Sequence, residues 1–255
     1  VLGRVGQEVL RAVCADADLQ AVGAVDIKAK SNKLALPDGS GEIPLSDNLD
    51  SIIAATKPDV MVDFTLHQAA MPAIRIAAKK KVNIVTGTTG FSQQEIDEID
   101  NLCTSNKIGA IVASNFAIGA ILMIHMAKIA SKYFDYAEII EKHHEKKADA
   151  PSGTALSTAK AMVQARGKGF TTPPLEKEML PHTRGGQIDG VSIHSVRLPG
   201  LMAHQEVIFG APGQTLIIRH DTINRECYMP GVIMAIKRIN ESKGLIVGLD
   251  KMLGL

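Results

Sequence analysis

The chain has 255 residues, 45% apolar and 22% charged, a balance that suits one large or two modest globular domains. Lysine plus arginine (28) nearly equals aspartate plus glutamate (27), and the net charge of +1 argues against a broad nucleic-acid or membrane-binding face. A protein that binds small anions would instead gather a few cations in one place.

Cys14, Cys103 and Cys227 are scattered without a C-x-x-C pair, so no zinc or redox motif is expected. An odd number of isolated cysteines suits a reducing, cytoplasmic setting. The longest apolar run, Ile118 to Ile124, is far short of a membrane span, and no stretch reads as a signal peptide.

The chain opens VLGRVGQEVL, with a helical pattern from Val5 to Val13. Gly3-Arg4-Val5-Gly6 resembles the back of a dinucleotide fingerprint, in which glycines let backbone approach a pyrophosphate at a helix N-terminus. A glycine-rich surface turn would use the same residues. The first strand is absent and the motif is short, so a clipped N-terminus or residues missing between Gly3 and Arg4 are expected. Ala21 to Asp26 reads as a strand. Asp26 follows the glycines by about 20 residues, where an acid accepts hydrogen bonds from an adenine ribose. Its charge would favour NADH over NADPH, and Lys28 and Lys30 would soften that preference.

Val60–Phe64, Val82–Thr86 and Ile108–Val112 read as buried strands, with helices at Met71–Lys79 and from Ser92 onward. Ser92-Gln93-Gln94-Glu95 fits a capping box. Alternating strand and helix predicts a parallel sheet covered on both faces. Such sheets bind ligands at their strand carboxyl ends. Asp63-Phe64-Thr65, Gly87-Thr88-Thr89 and Ser114-Asn115-Phe116 occupy such ends, and their Thr and Asn side chains suit a ribose or carboxamide. They are also ordinary turn formers.

Beyond residue 115 the pattern changes. A long apolar helix, Ile118 to Tyr133, precedes strands at Ala137–Glu141, Val191–Arg197, Glu206–Gly210 and Leu216–His220, which predict a mixed or antiparallel sheet with helices on one face. Arg166 to Gly190 reads as a long loop, and Met229–Ile239 as a helix with Pro230 near its start. Two architectures imply two domains.

Between these strands lies EKHHEKKADAPSGTAL. His143 and His144 point to opposite sides of an extended chain and so have different jobs. Lys147 lies within reach of His143 across a tight turn. Asp149 to Thr154 enters a helix running to about Ala165, with Asp or Ser as cap. Gly153 and Thr154 then offer N–H groups and a hydroxyl to a carboxylate. A solvated strand end with a basic patch would use many of the same residues. Adjacent histidines rarely share an ion and no paired acid follows, so no metal is expected.

EKHHEKKADAPSGTA, together with VDFT, VTGTTGF, ASNFAIGA and VRLPGLMAHQEVIFG, resembles the dihydrodipicolinate reductase family along nearly the whole chain, especially its shorter, actinobacterial-type members. The resemblance implies a Rossmann-type parallel-sheet domain plus an α+β domain with a mixed sheet, in a homotetramer. It divides the chain into residues 1–115, completed by 227–255 through a returning last helix, and residues 116–226. It implies reduction by NADH or NADPH of a cyclic imine dicarboxylate on the diaminopimelate route to lysine. His143 matches the proton donor and Lys147 its catalytic partner. His144, Ser152, Gly153, Thr154 and Arg225 match substrate contacts. Gly3, Arg4, Val5, Asp26, Gly87, Thr88, Thr89, Ser114, Asn115 and Phe116 match cofactor contacts. An amino-acid dehydrogenase or a dinucleotide-sensing regulator on the same fold is the rival reading, and the His-His-x-x-Lys and Pro-Ser-Gly-Thr pairing counts against both.

Overall fold

In the computed structural model, which describes residues Val1–Leu255, the chain divides into two units: Val1–Ile118 with Arg225–Leu255, and Gly119–Asn224. The first unit begins with α1 (Arg4–Ala15), β1 (Ala24–Val25), β2 (Lys33–Ala35), β3 (Glu42–Ser46) and α2 (Leu49–Thr56). Next come β4 (Val60–Asp63), α3 (His67–Lys79), β5 (Asn83–Thr86), α4 (Gln93–Asn106) and β6 (Gly109–Val112). After the second unit the chain returns with a 3-10 turn (Arg225–Tyr228), α7 (Met229–Ile239), β12 (Gly244–Val247) and α8 (Leu249–Leu253).

A four-stranded sheet, all parallel, has the order β12-β6-β5-β4. Every residue of β6 is buried, as expected of a strand covered on both faces. Ile84 and Ala110 of this sheet pack with Ile74 of α3 and with Ile99 and Cys103 of α4 in one core. The capping box forms as expected: Glu95 N–H donates to Ser92 Oγ at 3.3 Å, and Ser92 N–H to Glu95 Oε2 at 2.8 Å.

The strand expected at Ala21–Asp26 is a correction. Only Ala24–Val25 is strand, and it leaves the parallel sheet for a three-stranded sheet of order β1-β3-β2. Its partner β3 alternates exposed and buried residues, and Ile43 and Leu45 close with Ala24 over a small separate core. Burial of that alternating face draws β1 away. The fourth place in the parallel sheet goes to β12, from the far end of the chain.

The second unit holds α5 (Ile118–Ala130, whose first residue lies in the first unit), β7 (Tyr136–His143), α6 (Gly153–Arg166), β8 (Gly186–Ile188), β9 (Val191–Arg197), β10 (Ala203–Ala211) and β11 (Gln214–Thr222). Its sheet is mixed, in the order β11-β10-β7-β9-β8, with β7 and β9 parallel and the other pairs antiparallel. Ala137 and Ile139 of β7, Ile193 of β9, and Val207 and Phe209 of β10 pack against Met123 and Ala127 of α5 and Ala159 and Met162 of α6. The helices therefore cover one face, and the residues sharing that face follow period two. The long loop expected from Arg166 to Gly190 ends in the short strand β8, which pairs with β9. The helix expected to reach Tyr133 stops at Ala130.

Candidate active site

In the second unit, strand register gathers the polar groups. On β7 the residues facing the helices are Ala137, Ile139, Glu141 and His143. Glu141 lies opposite Ser195 of β9 and Gln205 of β10, and His143 lies opposite Arg197 and Ala203. A face that is apolar at its start thus ends in an acid, an imidazole and a guanidinium. Glu141 is fully buried. Its carboxylate accepts from Arg197 Nη2 at 2.7 Å, Arg197 Nη1 at 2.9 Å and Ser152 N–H at 3.2 Å, and lies 2.5 Å from His143 Nδ1. Burial pushes the Glu141 carboxyl up, but the hydrogen bonds from Arg197, Ser195 and His143 outweigh it and hold the group below its ordinary range. Burial likewise holds the His143 imidazole below its ordinary value of 6.5; Glu141 opposes that shift, while Lys147 and Arg197 add to it.

Past β7 the chain turns, with Lys147 N–H donating to His144 C=O at 3.2 Å. Lys147 Nζ bonds Asp149 Oδ1 at 2.6 Å. Ser152 caps α6: its hydroxyl accepts from Ala155 N–H at 3.2 Å, and the helix has no acid in its first turn. A methyl group on Gly153 would meet nothing within 4 Å, so the positive end of α6 is open there.

In the first unit the three strand ends align, since Asp63, Thr86 and Val112 are neighbours across β4, β5 and β6. Asp63 is buried, and its carboxylate accepts from Thr65 N–H (3.1 Å) and from the hydroxyls of Thr65 (2.6 Å), Thr86 (2.7 Å) and Thr88 (2.8 Å). A Cβ on Gly87 would fall 2.1 Å from the Phe64 ring, and that ring meets Phe116 at a tilt of 58° with centroids 5.4 Å apart. Asn115 accepts from Ala117 N–H at 2.8 Å. Thr89 and Ser114 are exposed. At the amino end of this unit Gly3 caps α1 without a side-chain hydrogen bond, and the first turn carries no acid. Asp26 follows β1 directly and its carboxylate accepts from Leu2 N–H at 2.7 Å, beside that helix start. Free helix N–H groups beside a strand-end acid fit the pyrophosphate and ribose of a dinucleotide.

Comparison with known proteins fits this geometry. Residues 1–116 match the family model described as dihydrodipicolinate reductase, N-terminus, and residues 119–253 the one described as its C-terminus. The chain belongs to the dihydrodipicolinate reductase family. A 4-hydroxy-tetrahydrodipicolinate reductase of Dehalococcoides mccartyi is 60% identical, covering 99% of this chain and 95% of that protein. One of Moorella thermoacetica is 45% identical over 98% and 94%. Among solved structures, a dipicolinate-bound dihydrodipicolinate reductase from Paenisporosarcina sp. TG-14 superposes with a TM-score of 0.88 at 41% identity, covering 98% of this chain and 96% of that one. Membership of this reductase family, with its Rossmann-like N-terminal part, carries a nicotinamide cofactor with it. No helix is long and apolar enough to cross a membrane.

Of the residues singled out in this family member, His143, His144, Lys147, Ser152, Gly153 and Thr154 lie in one unit, on β7, the turn after it and the start of α6. Arg225 lies in the other unit, opening its 3-10 turn. Gly3, Arg4, Val5, Asp26, Gly87, Thr88, Thr89, Ser114, Asn115 and Phe116 all fall in the first unit. The Thr88 hydroxyl is turned inward and donates to Asp63 Oδ2 at 2.8 Å. Phe116 is buried beneath the turn. The sequence reading left out Glu141 and Arg197. The available signal was a charged residue in phase with the apolar residues of each strand, Glu141 with Ala137 and Ile139, Arg197 with Val191 and Ile193.

Proposed function

We propose that the chain reduces 4-hydroxy-tetrahydrodipicolinate, the substrate its relatives are named for, to tetrahydrodipicolinate on the diaminopimelate route to lysine. The observation that carries this reading is the grouping of His143, Lys147 and the open N-terminus of α6 in one unit of a chain 60% identical to such a reductase. The first unit is the cofactor domain, and the second binds substrate and mediates assembly into a tetramer. Gly3, Arg4 and Val5 hold the pyrophosphate at α1. Asp26 receives the adenine ribose and favours NADH over NADPH, a preference that Lys28 and Lys30 soften. Gly87, Thr88, Thr89, Ser114, Asn115 and Phe116 shape the nicotinamide end.

The 4-hydroxyl and a hydrogen from the ring carbon next to it leave as water, which creates a C=C bond conjugated with the ring imine, and a bound nicotinamide would supply a hydride to the carbon that carried the hydroxyl. The electron pair shifts through the conjugated system toward the ring nitrogen, leaving an enamine whose nucleophilic carbon lies between the hydride acceptor and the former imine carbon. His143, as imidazolium, delivers the proton to that carbon. Lys147 leaves Asp149 for a substrate carboxylate and stabilises the developing negative charge. Ser152, Gly153 and Thr154 bind a carboxylate at the tip of α6 while His144 and Arg225 complete the substrate contacts.

Substitution separates these roles. His143→Gln should lower kcat by about 10²- to 10⁴-fold with little change in KM, and Lys147→Ala should impair both. Turnover is followed by loss of NADH absorbance with freshly generated substrate. Wild-type turnover in His143→Gln would remove the acid from this account. Asp26→Ala should bring the NADH and NADPH rates closer together.

A further inference from the structure

A fully buried carboxylate beside the proton donor has no part in the steps above. Removing a charge from water is costly, and only excellent partners offset it. Glu141 has such partners on three elements: His143 on β7, Arg197 and Ser195 on β9, and the Ser152 N–H that opens α6. We propose that Glu141 is the positioning carboxylate of His143, holding the Nδ1 proton so that Nε2 is the ring atom that gives its proton to substrate, with Arg197 balancing the acid's charge.

Hydrogen-bond chemistry leads to this assignment. An ionised carboxylate only accepts, so the ring nitrogen 2.5 Å from Glu141 carries a proton. In the imidazolium both nitrogens are protonated. When the Nε2 proton leaves, the Nδ1–H tautomer remains in place, and the ring need not turn to be reloaded. A second-carboxylate partner of this kind fixes both tautomer and ring plane. The same carboxylate ties down Ser152 N–H, so the proton donor and the anion-binding helix start share one anchor.

Arg197 opposes the pull of the acid on the ring, beside the larger effect of burial. The charged groups around His143 are Glu141 on its own strand, Arg197 on β9, and Lys147 on the turn, itself paired with Asp149; β10 presents Ala203. Glu141 alone would hold the imidazolium proton tightly. The bidentate guanidinium, at 2.7 and 2.9 Å, competes for the same carboxylate and weakens that pull.

The inference rests on the reading of His143 as proton donor, and its test is separable from that reading. His143 is titrated by NMR in full-length protein carrying labelled histidine, as wild type, Glu141→Gln and Arg197→Gln. Glu141→Gln should lower the His143 titration midpoint by about one pH unit, and Arg197→Gln should raise it. A structural ion pair with no link to the ring would leave both midpoints in place, and unmoved midpoints, or movement in the same direction, overturn the proposal. In kinetics, Glu141→Gln should cut kcat by about 10²-fold with KM within about twofold, and should move the basic limb of the kcat profile to lower pH. If Glu141→Gln does not fold, wild-type ring nitrogen shifts above the titration decide alone: an Nδ1–H tautomer supports the assignment and an Nε2–H tautomer overturns it. Full activity in His143→Gln would sink the donor reading yet leave the titration result standing.

Discussion

Asp63 shows how much one side chain can organise. Its carboxylate draws together the ends of β4 and β5 through three threonine hydroxyls and one N–H. Asp63→Ala would strand the buried hydroxyls of Thr86 and Thr88, lowering stability in urea by about 3 kcal/mol and weakening cofactor binding measured by fluorescence. Unchanged urea and binding curves would show that the hub is dispensable. Gly87→Ala drives a methyl group into the Phe64 ring and should cost about 1–3 kcal/mol of stability. His143 also carries a binding signature. Burial holds it below 6.5 in the free protein, and two substrate carboxylates would raise it again. Binding of pyridine-2,6-dicarboxylate near pH 7 should therefore take up protons, seen in calorimetry as a dependence on buffer ionisation enthalpy. The grouping of His143, Lys147 and the Pro-Ser-Gly-Thr turn in one unit was legible because those residues adjoin in sequence. Glu141 and Arg197 stand 56 positions apart and meet only through strand register, which no local pattern announces.

At the level of elements, α4 offers a pH test. Glu95 of its capping box is held down to about 2, first by the Ser92 N–H and then by His67 and the Ser92 hydroxyl. A depressed carboxylate stabilises the fold above its unfolded value, here 4.5, and that contribution drains away as pH falls toward 2. Wild type should therefore lose more stability than Glu95→Gln between pH 5 and pH 2.5 in urea titrations. Equal losses would detach Glu95 from acid stability. The box could be read from Ser92 and Glu95 because capping is local. β4, β5 and β6 were equally plain as apolar runs between helical patterns. β2, β3 and α2 were not: Lys33–Ala35 and Glu42–Ser46 are short and half exposed, and their pairing depends on a partner elsewhere in the chain. β12 carries an apolar Leu-Ile-Val run, yet its place beside β6 is a long-range event.

For the molecule as a whole, the change from alternating strand and helix to consecutive strands was enough to separate two architectures, since each pattern buries its apolar face differently. Assembly is the property to test at this scale. Light scattering on the intact protein should give about four times 27.2 kDa, and a monomer mass at working concentration would defeat the tetramer. The pairing of β7 with β9 has one more consequence. A strand's two sides exchange when its frame slips by a single position. Loss of one codon within Val191–Arg197 would swing the guanidinium to the far side and abandon a naked anion in the protein interior, silencing the catalyst although every group that meets the substrate is still encoded.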